Sequence, residues 1–146
     1  MIIGVPSEVE VDEYRVAITP AGVRELVGAG MTVLVQAGAG DGSKLPDSAY
    51  ESQGARIIES FEELFDTAQL IVKVKDPSPR EVALLKPEHT IFSFLHLAPQ
   101  PELARQLMET GATCIAYETV EQQGRLPLLA PMSEIAGRMS AQVGAY

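Results

Sequence analysis

The chain has 146 residues, of which 46% are hydrophobic and 21% are charged. These values are typical of one globular domain with a hydrophobic core. The formal net charge of −9 argues against a nucleic-acid-binding protein, because phosphate contacts need clustered Lys and Arg side chains.

Two further features bear on the cellular environment. No apolar run reaches the roughly 18 residues of a membrane-spanning helix, and residues 1–6 lack the basic region of a signal peptide. We therefore expect a cytoplasmic protein with no membrane partner. Cys114 is the only cysteine, so no internal disulfide can form, and its apolar surroundings predict a buried, inert thiol.

The predicted elements alternate between short β-rich runs and amphipathic stretches. In chain order, strands are predicted at residues 1–5, 32–36, 56–59, 69–74, 90–95 and 113–117. Helices are predicted between them at residues 20–29, 47–53, 61–66, 79–85 and 101–110. This alternation indicates βαβ units and a parallel sheet with both faces covered. The sequence therefore predicts the α/β class, as a three-layer sandwich with a mainly parallel sheet of Rossmann-like or flavodoxin-like type.

A last helix is predicted near the end of the chain. Ser133 is a candidate N-cap, and the apolar residues Ile135, Met139 and Val143 follow at helical spacing. The chain stops at Tyr146 without a clear terminating sequence. We expect the 146 residues to be part of a longer protein, and a natural C-terminal helix is the alternative.

A glycine-rich segment at residues 38–43 superficially resembles a phosphate-binding loop. The dinucleotide fingerprint G-x-G-x-x-G needs a helix directly after the loop, so that the helix N-terminus faces the pyrophosphate. Here Ser43 occupies the sixth position, and Pro46 disfavours helical geometry at Leu45. We expect a tight loop with positive φ at its glycines. No Cys/His cluster has the spacing of metal ligands, so no metal site is predicted.

Polar side chains follow several predicted strands. Arg15 lies in the loop after the first strand, Lys75 follows the fourth, His96 follows the fifth, and Glu118 follows the sixth. In open α/β sheets, ligands bind beyond the carboxyl ends of the strands. These side chains can therefore converge on one edge of the sheet.

Arg15, Lys75 and His96 suit a small keto acid or amino acid. A guanidinium matches a carboxylate at two points, an ammonium can polarise a carbonyl oxygen, and an imidazole can take and return a proton. Each residue also has a purely structural interpretation. Arg15 can pair with Glu13, Lys75 can be solvated on the same side of a strand as Lys73, and His96 can be an ordinary loop residue. Spacing alone leaves both interpretations open.

Several separated motifs carry a family resemblance. Residues 2–6 (IIGVP) and 13–20 (EYRVAITP) resemble the start of the alanine dehydrogenase and transhydrogenase α-subunit family. His96, in the run LHLAP at residues 95–99, favours alanine dehydrogenase over the transhydrogenase. Four runs resemble alanine dehydrogenase specifically: 72–77 (VKVKDP), 95–99 (LHLAP), 116–120 (AYETV) and 127–138 (PLLAPMSEIAGR).

The resemblance implies an NAD-dependent oxidoreductase of L-alanine catabolism. It implies that L-alanine, NAD and water are converted into pyruvate, ammonia and NADH. Arg15 and Lys75 match the family's substrate-binding pair, and His96 matches its catalytic acid–base residue. Ser133 and Met132 match the family's loop beside the nicotinamide and are therefore expected cofactor contacts.

The resemblance also implies a domain organisation. Residues 1–131 are expected to form a substrate domain, and residues 132–146 to begin a helix that leads to an NAD-binding domain. The family's second catalytic residue, an aspartate, belongs to that other domain, so we expect the 146 residues alone to be inactive. The family forms homohexamers. Two alternatives stay open: a fragment of a transhydrogenase α-subunit, or a stand-alone, non-catalytic binding module of the same fold.

Overall fold

A computed structural model describes all 146 residues. Every neighbouring pair of strands is parallel, and the order across the sheet is β3-β2-β1-β4-β5-β6. The predicted α/β class with a parallel sheet is therefore confirmed, and the strand order is that of a Rossmann fold. The six strands are β1 (Ile2–Val5), β2 (Thr32–Gln36), β3 (Arg56–Ile58), β4 (Leu70–Val72), β5 (Thr90–Ser93) and β6 (Thr113–Ala116).

Six α-helices accompany the strands, and local side chains fix where several of them begin. The Thr19 hydroxyl accepts a hydrogen bond from the Gly22 amide at the start of the first helix and so acts as its N-cap. Ser78 and Glu81 form a capping box at the start of the fourth. The helices are α1 (Pro20–Gly28), α2 (Asp47–Glu51), α3 (Phe61–Thr67), α4 (Pro79–Val82), α5 (Pro101–Thr110) and α6 (Ala130–Val143).

The core lies in two clusters, one on each face of the sheet. On one face, Val23 of α1 and Tyr50 of α2 pack against alternate residues of β1 and β2. On the other face, Leu64 of α3 and Leu107 of α5 pack against a cluster that includes Ile71. Because successive strand residues point to opposite faces, β2 is buried on both sides. This arrangement gives the predicted three layers.

The face that carries α1 is not covered along its whole width. Over β4 and β5 it forms an apolar cleft of about 460 Å³, lined by side chains that include Ile3, Val72, Phe92, Tyr117 and Leu128. No helix of the described residues packs over this part of the sheet. The three layers are therefore complete only over the half of the sheet that contains β2 and β3.

Some predicted boundaries differ from those observed. The strands β4 and β5 each end two residues earlier than predicted, at Val72 and Ser93. The helix α4 ends at Val82, because the amides of Leu84 and Leu85 donate to carbonyl oxygens three residues back. Such bonds form a tighter turn than an α-helix. The helix α5 and the strand β2 have the predicted bounds.

The predicted N-cap of the C-terminal helix α6, Ser133, is wrong. The helix begins at Ala130, with Leu129 at the N-cap position and Pro131 in the first turn, so Ser133 lies within the helix. Proline is favoured in a first helical turn because the missing amide hydrogen has no acceptor there. All side chains of α6 are at least partly exposed, and none belongs to either core cluster. None of the six helices combines the length and apolar character that crossing a bilayer demands.

The glycine-rich loop has the expected shape, although for partly different reasons. Gly38 has a φ of 73°, but the other glycines of the loop have no positive φ. At Gly40 the constraint is space, since a Cβ would clash with the carbonyl oxygen of Leu45. A short 3₁₀ turn, Asp41–Ser43, follows instead of a long helix. The loop therefore lacks the helix N-terminus that a pyrophosphate site needs.

The predicted burial of Cys114 is only partly correct. Its side chain is half-buried, because β6 is an edge strand of the sheet. Burial raises the pKa of the thiol above its ordinary value. The raised pKa disfavours the reactive thiolate, which agrees with an inert cysteine.

His89 is buried where the chain enters β5. It is 2% exposed, and its Nδ1 accepts a hydrogen bond of 3.1 Å from the amide of Lys86. Burial lowers the pKa of this imidazole below its ordinary value of 6.5. The folded state therefore favours the neutral side chain.

We expect His89 to make stability depend on pH. As the pH falls below about 6.5, the unfolded histidine binds a proton and the buried one does not, so the free energy of unfolding decreases. The decrease stops below the folded-state pKa, and each unit of pKa difference corresponds to about 1.4 kcal/mol. Urea unfolding between about pH 7.5 and pH 5.5 measures this slope. His89→Asn keeps an acceptor near the position of Nδ1 without titrating, so it should show a smaller slope; equal slopes would contradict the assignment.

Candidate active site

A polar cleft lies beyond the carboxyl ends of β1, β4 and β5. At β1 and β4 the strand order reverses, so their loops diverge and leave a crevice, which is the usual ligand position in such sheets. The cleft has a volume of about 510 Å³. The structure brings together four of the five predicted site residues here. The lining residues are Glu10, Arg15, Lys75, Asp76, Phe94, His96, Gln100, Leu129 and Met132.

Arg15 lies in the loop after β1 and is fixed by Glu13. Its Nη2 lies 2.6 Å from Glu13 Oε2, and its Nε donates to Glu13 Oε1 at 2.8 Å. This two-point contact raises the pKa of the guanidinium and lowers the pKa of the carboxyl. The remaining nitrogen, Nη1, lies 3.9 Å from Met132 Sδ in the cleft. Arg15 therefore pairs with Glu13 and lines the cleft at the same time.

Lys75 and Lys73 have different environments. Lys75 is half-buried in the cleft, and its ammonium forms no ion pair or hydrogen bond with another residue of the chain. Lys73 is fully buried, with its Nζ 2.5 Å from Glu81 Oε1 and 3.4 Å from Glu8 Oε2. The expectation that both lysines project from one side of a strand is wrong, because β4 ends at Val72 before either of them.

His96 is exposed in the loop after β5. Its φ is 50°, in the left-handed region that few non-glycine residues adopt, although histidine is among those that tolerate it. Its backbone N–H donates to Glu118 Oε1 at 2.7 Å. The imidazole itself has no hydrogen-bond partner in the chain, so both ring nitrogens are available to a ligand.

The first turn of α6 borders the cleft on another side. Met132 lines the cleft, 37% exposed, and contacts Arg15. Ser133 is the next residue along the helix, is exposed, and does not line the cleft. Its hydroxyl forms no hydrogen bond within the chain. The structure thus places Met132 with the other candidates and Ser133 at their margin.

Sequence reasoning missed the buried acid Glu8. Its side chain is 2% exposed, and its carboxylate accepts hydrogen bonds from the amides of Val74 and Lys75. Glu8 follows β1 at the carboxyl edge of the sheet, so the same positional argument that selected Arg15 applies to it. Nothing in the sequence indicates that its partners lie beyond β4.

Comparisons with known proteins show which family the chain belongs to. The profile described as "Alanine dehydrogenase/PNT, N-terminal domain" matches residues 4–136. The chain belongs to this family. An alanine dehydrogenase of Halomonas elongata is 52% identical over 147 aligned positions, which cover 100% of this chain and 40% of that protein. The chain therefore spans about 40% of the length of this curated relative.

Solved structures distinguish the two branches of the alanine dehydrogenase/PNT family. A structure of an L-alanine dehydrogenase aligns with a TM-score of 0.94 and 46% identity, over 99% of this chain and 40% of the other. A transhydrogenase from Sinorhizobium meliloti aligns with a TM-score of 0.78 and 30% identity, over 84% of this chain and 36% of the other. Fold and sequence both favour alanine dehydrogenase over the transhydrogenase alternative.

The two lysines of this alanine dehydrogenase-family domain should differ sharply in their effect on stability. Lys73→Met leaves Glu8 and Glu81 as buried carboxylates without a cation, and we expect a loss of about 3–5 kcal/mol. Lys75→Met removes an unpaired, half-exposed ammonium, and we expect a change within about 0.5 kcal/mol. Urea unfolding of both variants measures the difference. Equal losses would show that Lys73 is not the centre of this network.

Proposed function

We propose that this domain binds the substrate of an NAD-dependent alanine dehydrogenase. The reaction converts L-alanine, NAD and water into pyruvate, ammonia and NADH. The observation that supports it best is the position of Arg15, Lys75 and His96 around one cleft at the reversal of strand order. Lys75 and His96 have side chains without protein partners, and membership of the family narrows the small-acid ligand to alanine and pyruvate.

Arg15 and Lys75 are proposed to bind the substrate carboxylate and its carbonyl oxygen. Glu13 holds two nitrogens of the Arg15 guanidinium, so its orientation is set before a ligand enters. A preorganised cation loses little conformational freedom on binding. Glu10 and Asp76 also line the cleft. Both signs of charge are therefore present, which suits zwitterionic L-alanine as well as anionic pyruvate.

His96 is proposed to be the acid–base residue. Oxidation of alanine through an imine requires removal of a proton from the amine and another from the attacking water. A single imidazole beside the substrate carbon can accept the amine proton, release it to solvent, and then accept the proton of the attacking water and pass it to the departing amine; amination of pyruvate runs these transfers in reverse. The unpartnered ring nitrogens of His96 leave it able to perform both transfers.

NAD, when bound, supplies the acceptor for the substrate hydride. The residues present fit only its nicotinamide end. Met132 and the exposed Ser133 lie together on the first turn of α6 beside the cleft, so we propose that both contact that ring. We further propose that residues 1–131 form the substrate domain and that 132–146 begin the helix toward an NAD-binding domain. Homohexamer assembly is proposed from the family resemblance, and a cytoplasmic location is proposed from the sequence pattern described above.

A chimera tests the proposed function as a whole. Residues 1–146 replace the matching 40% of the Halomonas elongata alanine dehydrogenase, and NADH-dependent amination of pyruvate is followed by absorbance. We expect turnover within the usual enzymatic range of about 1–10³ per second. A chimera that folds and assembles like the parent enzyme but has no turnover would contradict the proposal.

In this chimera, Arg15→Ala and Lys75→Ala should each weaken the handling of pyruvate. Loss of a charge-assisted hydrogen bond to a carboxylate costs about 1.5–3 kcal/mol, so we expect kcat/KM to fall roughly ten- to a hundredfold. Arg24→Ala is a matched control, because Arg24 is exposed on α1 and pairs only with Glu25. Values of kcat/KM near those of the control would refute the assigned pair.

His96→Asn should separate chemistry from packing. Asparagine tolerates the left-handed backbone of His96 but cannot transfer protons, so we expect kcat to fall by about 10²–10⁴. The affinity for NADH should change little. His89→Asn is the control, because it alters the other histidine of the chain, which lies buried at the start of β5. If His96→Asn keeps its turnover within a few fold and only melts earlier, His96 is a packing residue.

A further inference from the structure

We propose that Glu8 and Glu118 are positioning residues, which hold Lys75 and His96 in the cleft through their backbone amides. The inference rests on the function proposed for this cleft. It adds two acidic side chains that act through the loops and need not touch the substrate. We call each carboxylate with its two amide donors a clamp.

The first clamp fixes the loop after β4. Glu8 Oε1 accepts a hydrogen bond of 2.6 Å from the Val74 amide, and Oε2 accepts one of 3.3 Å from the Lys75 amide. Lys73 Nζ lies 3.4 Å from Oε2, so a buried cation, which also pairs with Glu81, lies beside the buried carboxylate. Because Glu8 comes from the loop after β1, this clamp joins the two strands where their order reverses.

The second clamp repeats the arrangement one strand further along the sheet. Glu118 Oε2 accepts a hydrogen bond of 3.3 Å from the Leu95 amide, and Oε1 accepts one of 2.7 Å from the His96 amide. Glu118 lies in the 3₁₀ turn directly after β6. In each clamp, the carboxylate therefore comes from the loop after a neighbouring strand.

The two clamps bind backbone amides at equivalent positions in their loops. In both loops the clamped amides belong to the second and third residues after the strand ends, at Val72 and at Ser93. In both loops the third residue, Lys75 or His96, is among those that line the cleft. The same geometry at two neighbouring strands argues for a shared purpose, which is to fix the Cα atoms that carry Lys75 and His96.

The second clamp also stabilises the left-handed backbone conformation of His96. His96 has a φ of 50°, a conformation that is less stable than the extended or right-handed one for a residue with a Cβ. Hydrogen bonds to a carboxylate are strong, and here they select this conformation for the residue that presents its imidazole. Misplacement of a reacting group by about 1 Å can reduce a rate by about a hundredfold.

Glu118→Gln in the chimera is the primary test. Glutamine places an NH₂ group opposite one of the two amide donors, so one hydrogen bond of the clamp is replaced by a donor–donor contact. We expect kcat for pyruvate amination to fall roughly ten- to a hundredfold. Glu8→Gln should instead act on Lys75 and raise KM for pyruvate about tenfold, because Lys75 is proposed to bind the substrate.

A double-mutant cycle shows whether the clamps act through these side chains. If Glu118 works only by placing the imidazole, Glu118→Gln should change kcat by less than about twofold once His96→Asn is present. Glu8→Gln should likewise add little to Lys75→Ala. Additive effects in either pair would overturn the inference for that clamp. A single Glu118→Gln variant with kcat within about twofold of the unsubstituted chimera would do the same.

Controls separate positioning from stability. Glu121→Gln changes an exposed carboxylate three residues from Glu118 and should leave kinetics unchanged. Val33→Ala should lower the melting temperature without changing kcat, because Val33 lies in the core cluster behind α1. If Glu118→Gln does not fold, Glu118→Asp keeps the charge one methylene short, and its kcat should also fall; an unchanged kcat overturns the inference. If His96→Asn alone did not lower kcat, that result would count against the proposed function and not against the clamp.

Discussion

The candidate site depends on the adjacency of β1 and β4 at the centre of the sheet. The chain reaches β4 only after building β2 and β3 on the other side of β1, so the loops that follow these two central strands diverge. The divergence opens the cleft, and a buried ion-pair network joins the loops after β1 and β4 beside it. Lys73 joins Glu8, from the loop after β1, to Glu81 at the start of α4. Lys73 is the one cation between these two carboxylates, and the network supports the loop that presents Lys75 to the cleft.

Periodicity made the fold predictable. The alternation of strands and helices, and the cap at Thr19, depend on neighbours within a few residues, and most elements lie where the sequence predicts them. The early ends of β4 and β5 were not predictable, because contacts near them involve residues that are far apart in the sequence. Beyond the strand ends, the amides of Val74 and His96 donate to Glu8 and Glu118, which lie 66 and 22 residues away from them in the sequence. Likewise, the strand-end rule selected Lys75 and His96, whereas the burial of Lys73 depends on two acids that only the fold brings together.

The two histidines illustrate how position in the sheet determines what a side chain can do. His89 precedes β5 at the amino edge, where burial lowers the pKa of its imidazole and Nδ1 accepts a hydrogen bond from the Lys86 amide. His96 follows β5 at the carboxyl edge, where the imidazole is exposed and has no protein partner. Residue type alone does not distinguish them. The carboxyl edge is where parallel strands direct their loops toward a ligand.

The central claim is that one cleft, at the carboxyl ends of β1, β4 and β5, binds a small keto acid. A crystal structure of the chimera with pyruvate tests this claim most directly. The account predicts the pyruvate carboxylate within hydrogen-bond distance of Arg15 and Lys75, with the keto carbon beside His96. Pyruvate bound elsewhere, or bound in the cleft without a contact to either cation, would contradict it.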